Sequence, residues 1–338
     1  MSIKKMRICL VGDYSPQLNE GYKNIAHSLS YGLEIYHKVF RLHVGKLFNI
    51  KTWVSLKAFS PQVIHILSQP TIMSLLLLFS ISFINRRNYK LISALRFERL
   101  KSNDLYETLF GFVIRIVQPD LVLVQSSAAG VLFSNQWNCN TNQLPNGVDL
   151  QKFYPVTEEQ KLRLRGKYCL DPQSPTILHV GHPIPERNLS SLEPLIEHGF
   201  QVIMVASKYL QPTDEFIEEL RDRGFVVIDT YLPNVEELYQ LADCYIFPVN
   251  SGNSISMPLS ILEALACDLP VVSTRFDAIH ERFGEGTGIY YIDSEMEIID
   301  QVENAIKESL STRSLVEGLS WEALATTLSE FYQELANK

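Results

Sequence analysis

Glu263 lies within the run SILEALACDLPVVS (260–273), flanked by Ile261, Leu262, Ala264 and Leu265. A carboxylate carried in so apolar a stretch calls for a specific hydrogen-bonding partner, because burying it without one costs free energy. A solvated charge on a helix surface is the plainer alternative. Upstream, residues 244–248 (CYIFP) have the pattern of a short buried strand, followed by a polar loop containing Gly252. Pro258 then suits the first turn of a helix, where its missing N–H is of no consequence. The start of that helix offers unpaired backbone N–H groups and the positive end of the helix dipole, a setting that favours phosphate.

Such residues need a scaffold, and short apolar runs alternating with longer amphipathic stretches supply one throughout the chain. That rhythm is the mark of β-α units around parallel sheets. In the first half we place strands at 7–11, 63–67, 90–94 and 121–124, with helices near 21–33, 71–85 and 102–117. After Val124 the rhythm is lost, and the polar stretch 135–146 reads as surface loop and linker. A second series has strands at 176–180, 201–205, 226–228, 244–248 and 270–273, and helices near 189–198, 214–223, 235–242 and 259–266. From Glu295 onward the chain reads as helical, with Trp321 and Tyr332 among its apolar positions. Both halves therefore read as doubly wound α/β domains, whose ligands bind beyond the carboxyl ends of the strands and in the crevice between domains.

The length of 338 residues fits two domains, and 46% hydrophobic with 20% charged residues excludes a disordered chain. Charge is uneven along it. Residues 1–155 carry 17 Lys+Arg and 8 Asp+Glu, a net of +9, and subtraction from the totals of 30 and 38 leaves 13 and 30, a net of −17, for residues 156–338. A basic half suits an anionic partner, although such imbalance also serves solubility alone. Five scattered cysteines without a C-x-x-C pair indicate a reduced, cytoplasmic setting and no structural zinc. The apolar run near the N-terminus is too short for a signal-peptide core. The run 72–84 is likewise shorter than the ~20 residues needed to span a bilayer.

The run SILEALACDLPVVS resembles the donor-site signature of retaining glycosyltransferases of family 4, which have the GT-B fold of two Rossmann-like domains with an interdomain cleft. Four further segments agree in order and spacing: NEGYKN at 19–24, LPNGVDLQKFYP at 144–155, ILHVGHPIPERN at 177–188 and VEELYQLADCYIFP at 235–248. The resemblance spans nearly the whole chain. It implies an acceptor domain at 1–155, a nucleotide-sugar domain at 156–315, and a C-terminal helix at 316–338 that packs back on the first domain. Glu263 matches the second Glu of the family's pair, which binds the ribose hydroxyls. Arg187 stands where the family has a Lys that neutralises the donor diphosphate, and a guanidinium fork can hold two phosphate oxygens. His182 replaces a common Arg, and Gly181 permits close backbone approach. In the first domain Gly12, Gly21 and Lys23 match the loop facing the donor phosphates and the acceptor. For these glycines an ordinary tight turn is the plain alternative. His65 matches a common family His, a type that near a strand end also serves as a structural hydrogen bonder.

Two departures stand out. The first Glu of the pair is Ile255 here, leaving the sugar hydroxyls to backbone N–H groups and to Asn253, Ser254 and Ser256, or to another mode of binding. A His lining the first domain is Arg96. The resemblance implies transfer from a nucleotide-sugar, UDP- or GDP-linked, to a glycan, lipid-linked or other acceptor, without a further cofactor. Retaining transfer in this fold needs no side-chain nucleophile, only donor orientation and stabilisation of the charge building on the diphosphate. No Asp-x-Asp motif is present to support a metal-bridged alternative. Basic residues after 72–84 suit peripheral attachment to an anionic membrane surface at its inner face, against the plainer reading of a core helix with solvated charges. Nucleic acid is a poor match for an acidic chain without a binding motif. The alternatives to transfer are a GT-B-like sugar-binding or partner protein without activity, and a nucleotide-sugar epimerase of the same fold.

Overall fold

The computed structural model describes residues 3–15, 21–84, 88–95, 104–184, 187–206, 214–249, 256–275, 277–308 and 310–337. Within them the chain forms two compact units. The first holds Met1–Gly147, Ser254–Met257 and Trp321–Lys338, and the second holds Val148–Asn253 and Pro258–Ser320.

The first unit is built on β1 (Arg7–Gly12), β2 (Lys38–His43), β3 (Val63–Ile66), β4 (Tyr89–Ala94), β5 (Leu121–Val124) and β6 (Thr141–Gln143). They form one parallel sheet in the order β2-β1-β3-β4-β5-β6. The order reverses between β1 and β3, the switch point where the loops after neighbouring strands diverge. Strands β3 and β5, VIHI and LVLV, are buried at every position, as central strands covered on both faces must be. Stretch 135–146 differs from the expected loop: it holds the end of helix Ser127–Trp137 and edge strand β6. The helix ends at Asn138 in the left-handed region (φ 54°), which Asn tolerates better than most residues.

The last helix, Trp321–Asn337, packs on helix Gly21–Glu34. Gly32 makes that approach possible, since a Cβ there would sit 2.8 Å from Ala325 Cβ. Polar contacts fix the register: His37 Nε2 meets Ser329 Oγ at 3.0 Å and Tyr36 OH meets Thr326 Oγ1 at 3.1 Å.

The second unit contains β7 (Thr176–Gly181), β8 (Gln201–Ala206), β9 (Val226–Ile228), β10 (Cys244–Phe247), β11 (Val271–Thr274) and β12 (Ile289–Ile292). Its parallel order, β12-β11-β10-β7-β8-β9, is the Rossmann arrangement, with the switch point between β7 and β10. The chain enters this unit at Val148, before the expected boundary near Pro155. The intervening residues are held there by Arg313, whose guanidinium donates to the carbonyls of Leu150 and Phe153, and by the Phe153 ring, edge-on to Tyr239 at 5.5 Å.

Candidate functional site

Gly181 and Arg187 follow β7, and helix Leu259–Ala266 follows β10, so both lie at the switch point of the second sheet. Inside the unit a row of rings joins them. Tyr245 and Phe247 are two residues apart on β10 and share a face, as strand geometry requires. The Arg187 guanidinium lies over the Phe247 ring at 4.9 Å. Phe247 stacks on Tyr245 at 6.4 Å, and Tyr245 on Tyr239 at 5.8 Å. The Tyr239 hydroxyl then donates to Glu263 Oε2 at 2.7 Å. Arg187 and Glu263 are thus held at opposite ends of one aromatic row, each by a contact that suits its charge: a π-face for the cation and an O–H donor for the carboxylate.

Glu263 is half-buried, whereas Tyr239 is fully buried. Burial pushes the Glu263 carboxyl above its usual range, against the Tyr239 hydrogen bond and the Lys152 charge, which favour the ionised form. Oε1 takes no hydrogen bond from the described residues. The apolar neighbours in its helix are in the core, and the carboxylate is the helix's one charged group, held by a buried partner. Pro258 occupies the capping position just before the helix, one place earlier than the sequence suggests, and has no side chain able to cap. No acidic residue stands in the first turn, so nothing there offsets the positive end of the dipole.

A turn carries Arg187. Ile184 N–H donates to the His182 carbonyl and Arg187 N–H to the Ile184 carbonyl, both at 2.9 Å. Asn188 follows in the left-handed region (φ 53°) and is tied to Glu295 Oε1 at 2.7 Å. His182, half-buried, stands at the start of this turn.

His179 completes the site and was invisible as a site residue in the sequence. It is fully buried, stacked on Phe247 at 5.7 Å, and its Nδ1 lies 2.9 Å from the Ile246 carbonyl. A carbonyl only accepts, so Nδ1 bears the proton and Nε2 keeps a lone pair without a hydrogen-bond partner. Burial, opposed by that hydrogen bond and aided by the Arg187 charge, pushes the ring's pKa down to about 3. A Cβ at Gly181 would meet Nε2 at 3.0 Å, which explains glycine there without invoking a ligand.

The first unit gathers a separate group beyond β1. A Cβ at Gly12 would meet Ala26 Cβ at 2.9 Å, so this glycine seats helix Gly21–Glu34 against the strand. Gly21 opens that helix and Lys23 is buried in its first turn. Burial raises the Asp13 carboxyl, but hydrogen bonds from Ser15 and the charges of Lys23 and His43 outweigh it and hold the group below the usual carboxylate range. His65 does not join this group. It lies within β3, fully buried, with Nδ1 2.7 Å from Tyr332 OH and Nε2 2.7 Å from Ser93 Oγ. Both nitrogens are occupied, and burial pushes its pKa down to about 3, so it is a neutral structural bridge to the last helix and not an acceptor-facing group. Asn253, Ser254, Ile255 and Arg96 lie outside the described residues, and Ser256 is half-buried. Among the described residues no cluster of three metal-ligating side chains occurs.

Two parallel doubly wound units, one in Rossmann order with a cation and a carboxylate at its switch point, define the GT-B fold. Residues 175–308, most of the second unit, match the family described as glycosyl transferases group 1. Solved structures match over the whole chain. A glycosyltransferase from Rickettsia africae ESF-5 aligns with a TM-score of 0.75 at 14% identity, covering 99% of each chain. Sucrose-phosphate synthase from Thermosynechococcus elongatus aligns at 0.73 and 16%, covering 98% of this chain and 100% of its own. HepE from Anabaena, in complex with UDP, aligns at 0.68 and 13%, covering 98% of both. No curated protein matches the sequence.

Proposed function

We propose that the protein transfers a sugar from a nucleotide-sugar to a glycan or lipid-linked acceptor with retention of anomeric configuration, at the cytoplasmic side of a membrane. The observation that carries this reading is the fixing of Arg187 and Glu263 by one aromatic row at the Rossmann switch point. Arg187 holds the diphosphate in a guanidinium fork, helped by the uncapped N-terminus of helix Leu259–Ala266. Glu263 Oε1 and Oε2 face the vicinal ribose hydroxyls, with Tyr239 fixing the carboxylate plane. UDP is the favoured nucleotide, because HepE is solved with UDP and with UDP-glucose. The leaving phosphate oxygen takes the acceptor proton on the face where the new bond forms, so no side-chain base is needed. With positive charge supplied by the protein, transfer proceeds unchanged in the presence of a chelator.

A second reading, a sugar-binding protein without transfer, is favoured by Ile255 at the place of the family's first Glu. Calorimetric titration with UDP and GDP tests the site. Wild type binds, and Arg187→Ala and Glu263→Ala each weaken binding by about 10- to 150-fold, the range for a lost charged hydrogen bond. Failure to bind either nucleotide, or unchanged binding by both variants, overturns the assignment. Product formation in a screen of donors and acceptors separates transfer from sugar binding alone.

A further inference from the structure

The helices that follow β2, β3, β4 and β5 form one layer over the first sheet. Leu56, Leu78, Phe110 and Phe133, one from each, share a single core. The opposite side of this layer is also apolar. Helix Asp104–Val117 buries Phe110, Ile114 and Val117 but exposes Leu105, Leu109, Phe112 and Ile116. Their spacing of four, three and four places them on one outward stripe. Beside it packs helix Ile72–Ser82, which turns Leu75, Leu78 and Ile81 inward and leaves Met73, Leu76 and the following Phe83 outside. Leu105 is 75% exposed, Met73 74%, Phe83 68% and Phe112 62%. Contiguous apolar surface of this kind marks an interaction face on a soluble protein.

Charge identifies what it meets. On the helices of this layer the exposed charged side chains described include Arg115 on Asp104–Val117 and Lys51 and Lys57 on the neighbouring helix Ile50–Phe59, all basic. Of the acidic ones, Glu107 is partly buried and accepts from Gln136. The unit as a whole, residues 1–147 and 321–338, holds 17 Lys+Arg against 10 Asp+Glu, a net of +7. Two copies meeting through this face would bring like charges together. We propose that the outer face of the helices Ile72–Ser82 and Asp104–Val117 docks on an anionic lipid bilayer, the apolar side chains entering the acyl boundary while the basic residues meet the headgroups. Among the described residues no helix is long and apolar enough to cross a membrane, so the contact is at the surface. This inference does not depend on the nucleotide site.

Flotation of the full chain with vesicles tests it. Vesicles of phosphatidylcholine with phosphatidylglycerol carry the protein to the top of the gradient, and phosphatidylcholine alone retains far less. The double variant Leu109→Ser/Phe112→Ser lowers partitioning by about tenfold or more while its melting temperature and UDP titration stay as in wild type. Met296→Ser, at a side chain 90% exposed on the second unit, leaves partitioning unchanged. Absence of binding to the anionic vesicles, or equal binding by the double variant, overturns the proposal. So does a dimer in light scattering that the double variant converts to monomer, which would give the face to a second copy.

Discussion

Replacing Tyr239 by Phe removes one oxygen and keeps the ring, so stacking on Tyr245 and the edge contact with Phe153 survive. What is lost is the 2.7 Å hydrogen bond to Glu263 Oε2. Tyr239 is fully buried, so water does not replace the donor. A hydrogen bond to a charged group contributes about 1.5–3 kcal/mol, and in a unit of this size that lowers the melting temperature by about 3–12 °C. The loss depends on pH. The carboxyl's pKa is raised by burial in spite of the Tyr239 donor, and removing the donor raises it further. A raised pKa adds stability below the unfolded value and loses it as pH rises through the folded value. The variant's deficit is therefore largest above the folded pKa, where Glu263 is ionised, and shrinks as acid protonates the carboxyl. UDP affinity falls with it, because Glu263 is no longer held in plane. Differential scanning calorimetry and UDP titration at neutral and acidic pH are the measurements. An unchanged melting temperature at neutral pH, or a deficit independent of pH, would refute the view that Tyr239 positions an ionised Glu263.

His65 and His37 are buried, with pKa values pushed down to about 3 and about 4, the second also by Lys5. Their depressed values stabilise the first unit above the unfolded value of about 6.5, and that stability is lost as pH falls through this value toward the folded ones. Urea midpoints should fall between about pH 6.5 and 5, and fall less in His65→Phe; a flat wild-type profile would contradict the assignment. Gly147→Ala places a Cβ 2.6 Å from the Trp321 ring and 3.0 Å from Leu324 Cδ1, costing about 1–3 kcal/mol in urea unfolding. A neutral result there would mean that the last helix is not packed as described.

The central strands were readable because a strand covered on both faces is a short apolar run. The three strands that escaped, β2, β6 and β12, all lie at sheet edges. Lys38–His43 has its apolar residues broken up by Lys38, Arg41 and His43, and Thr141–Gln143 has no apolar residue at all. Helix Glu158–Lys167 was missed for a related reason, since it is so polar that Arg165 is its one buried side chain. At the site, Arg187 and Glu263 could be singled out from motif and context. His179 and the ring row could not, because their roles arise from stacking between elements far apart in sequence. The alternation of Tyr245 and Phe247 was the one local sign. For His65 the sequence left a cleft role and a structural hydrogen bond both open, and its environment, two hydroxyl partners and no exposure, makes it part of the frame.

The return of Trp321–Lys338 to the first unit has a consequence for synthesis. A ribosome completes almost all of the second unit before the residues that finish the first one emerge. Until then the pocket edges formed by Gly32, His37 and His65 have no Ala325, Ser329 or Tyr332 to cover them. The nascent first sheet must therefore wait, open along one helix, for its own last segment. A chain that stopped at Ser320, 338 − 320 = 18 residues short, would retain a complete Rossmann unit yet display an unfinished partner, and quality-control proteases would find their target at the opposite end of the gene from the lesion.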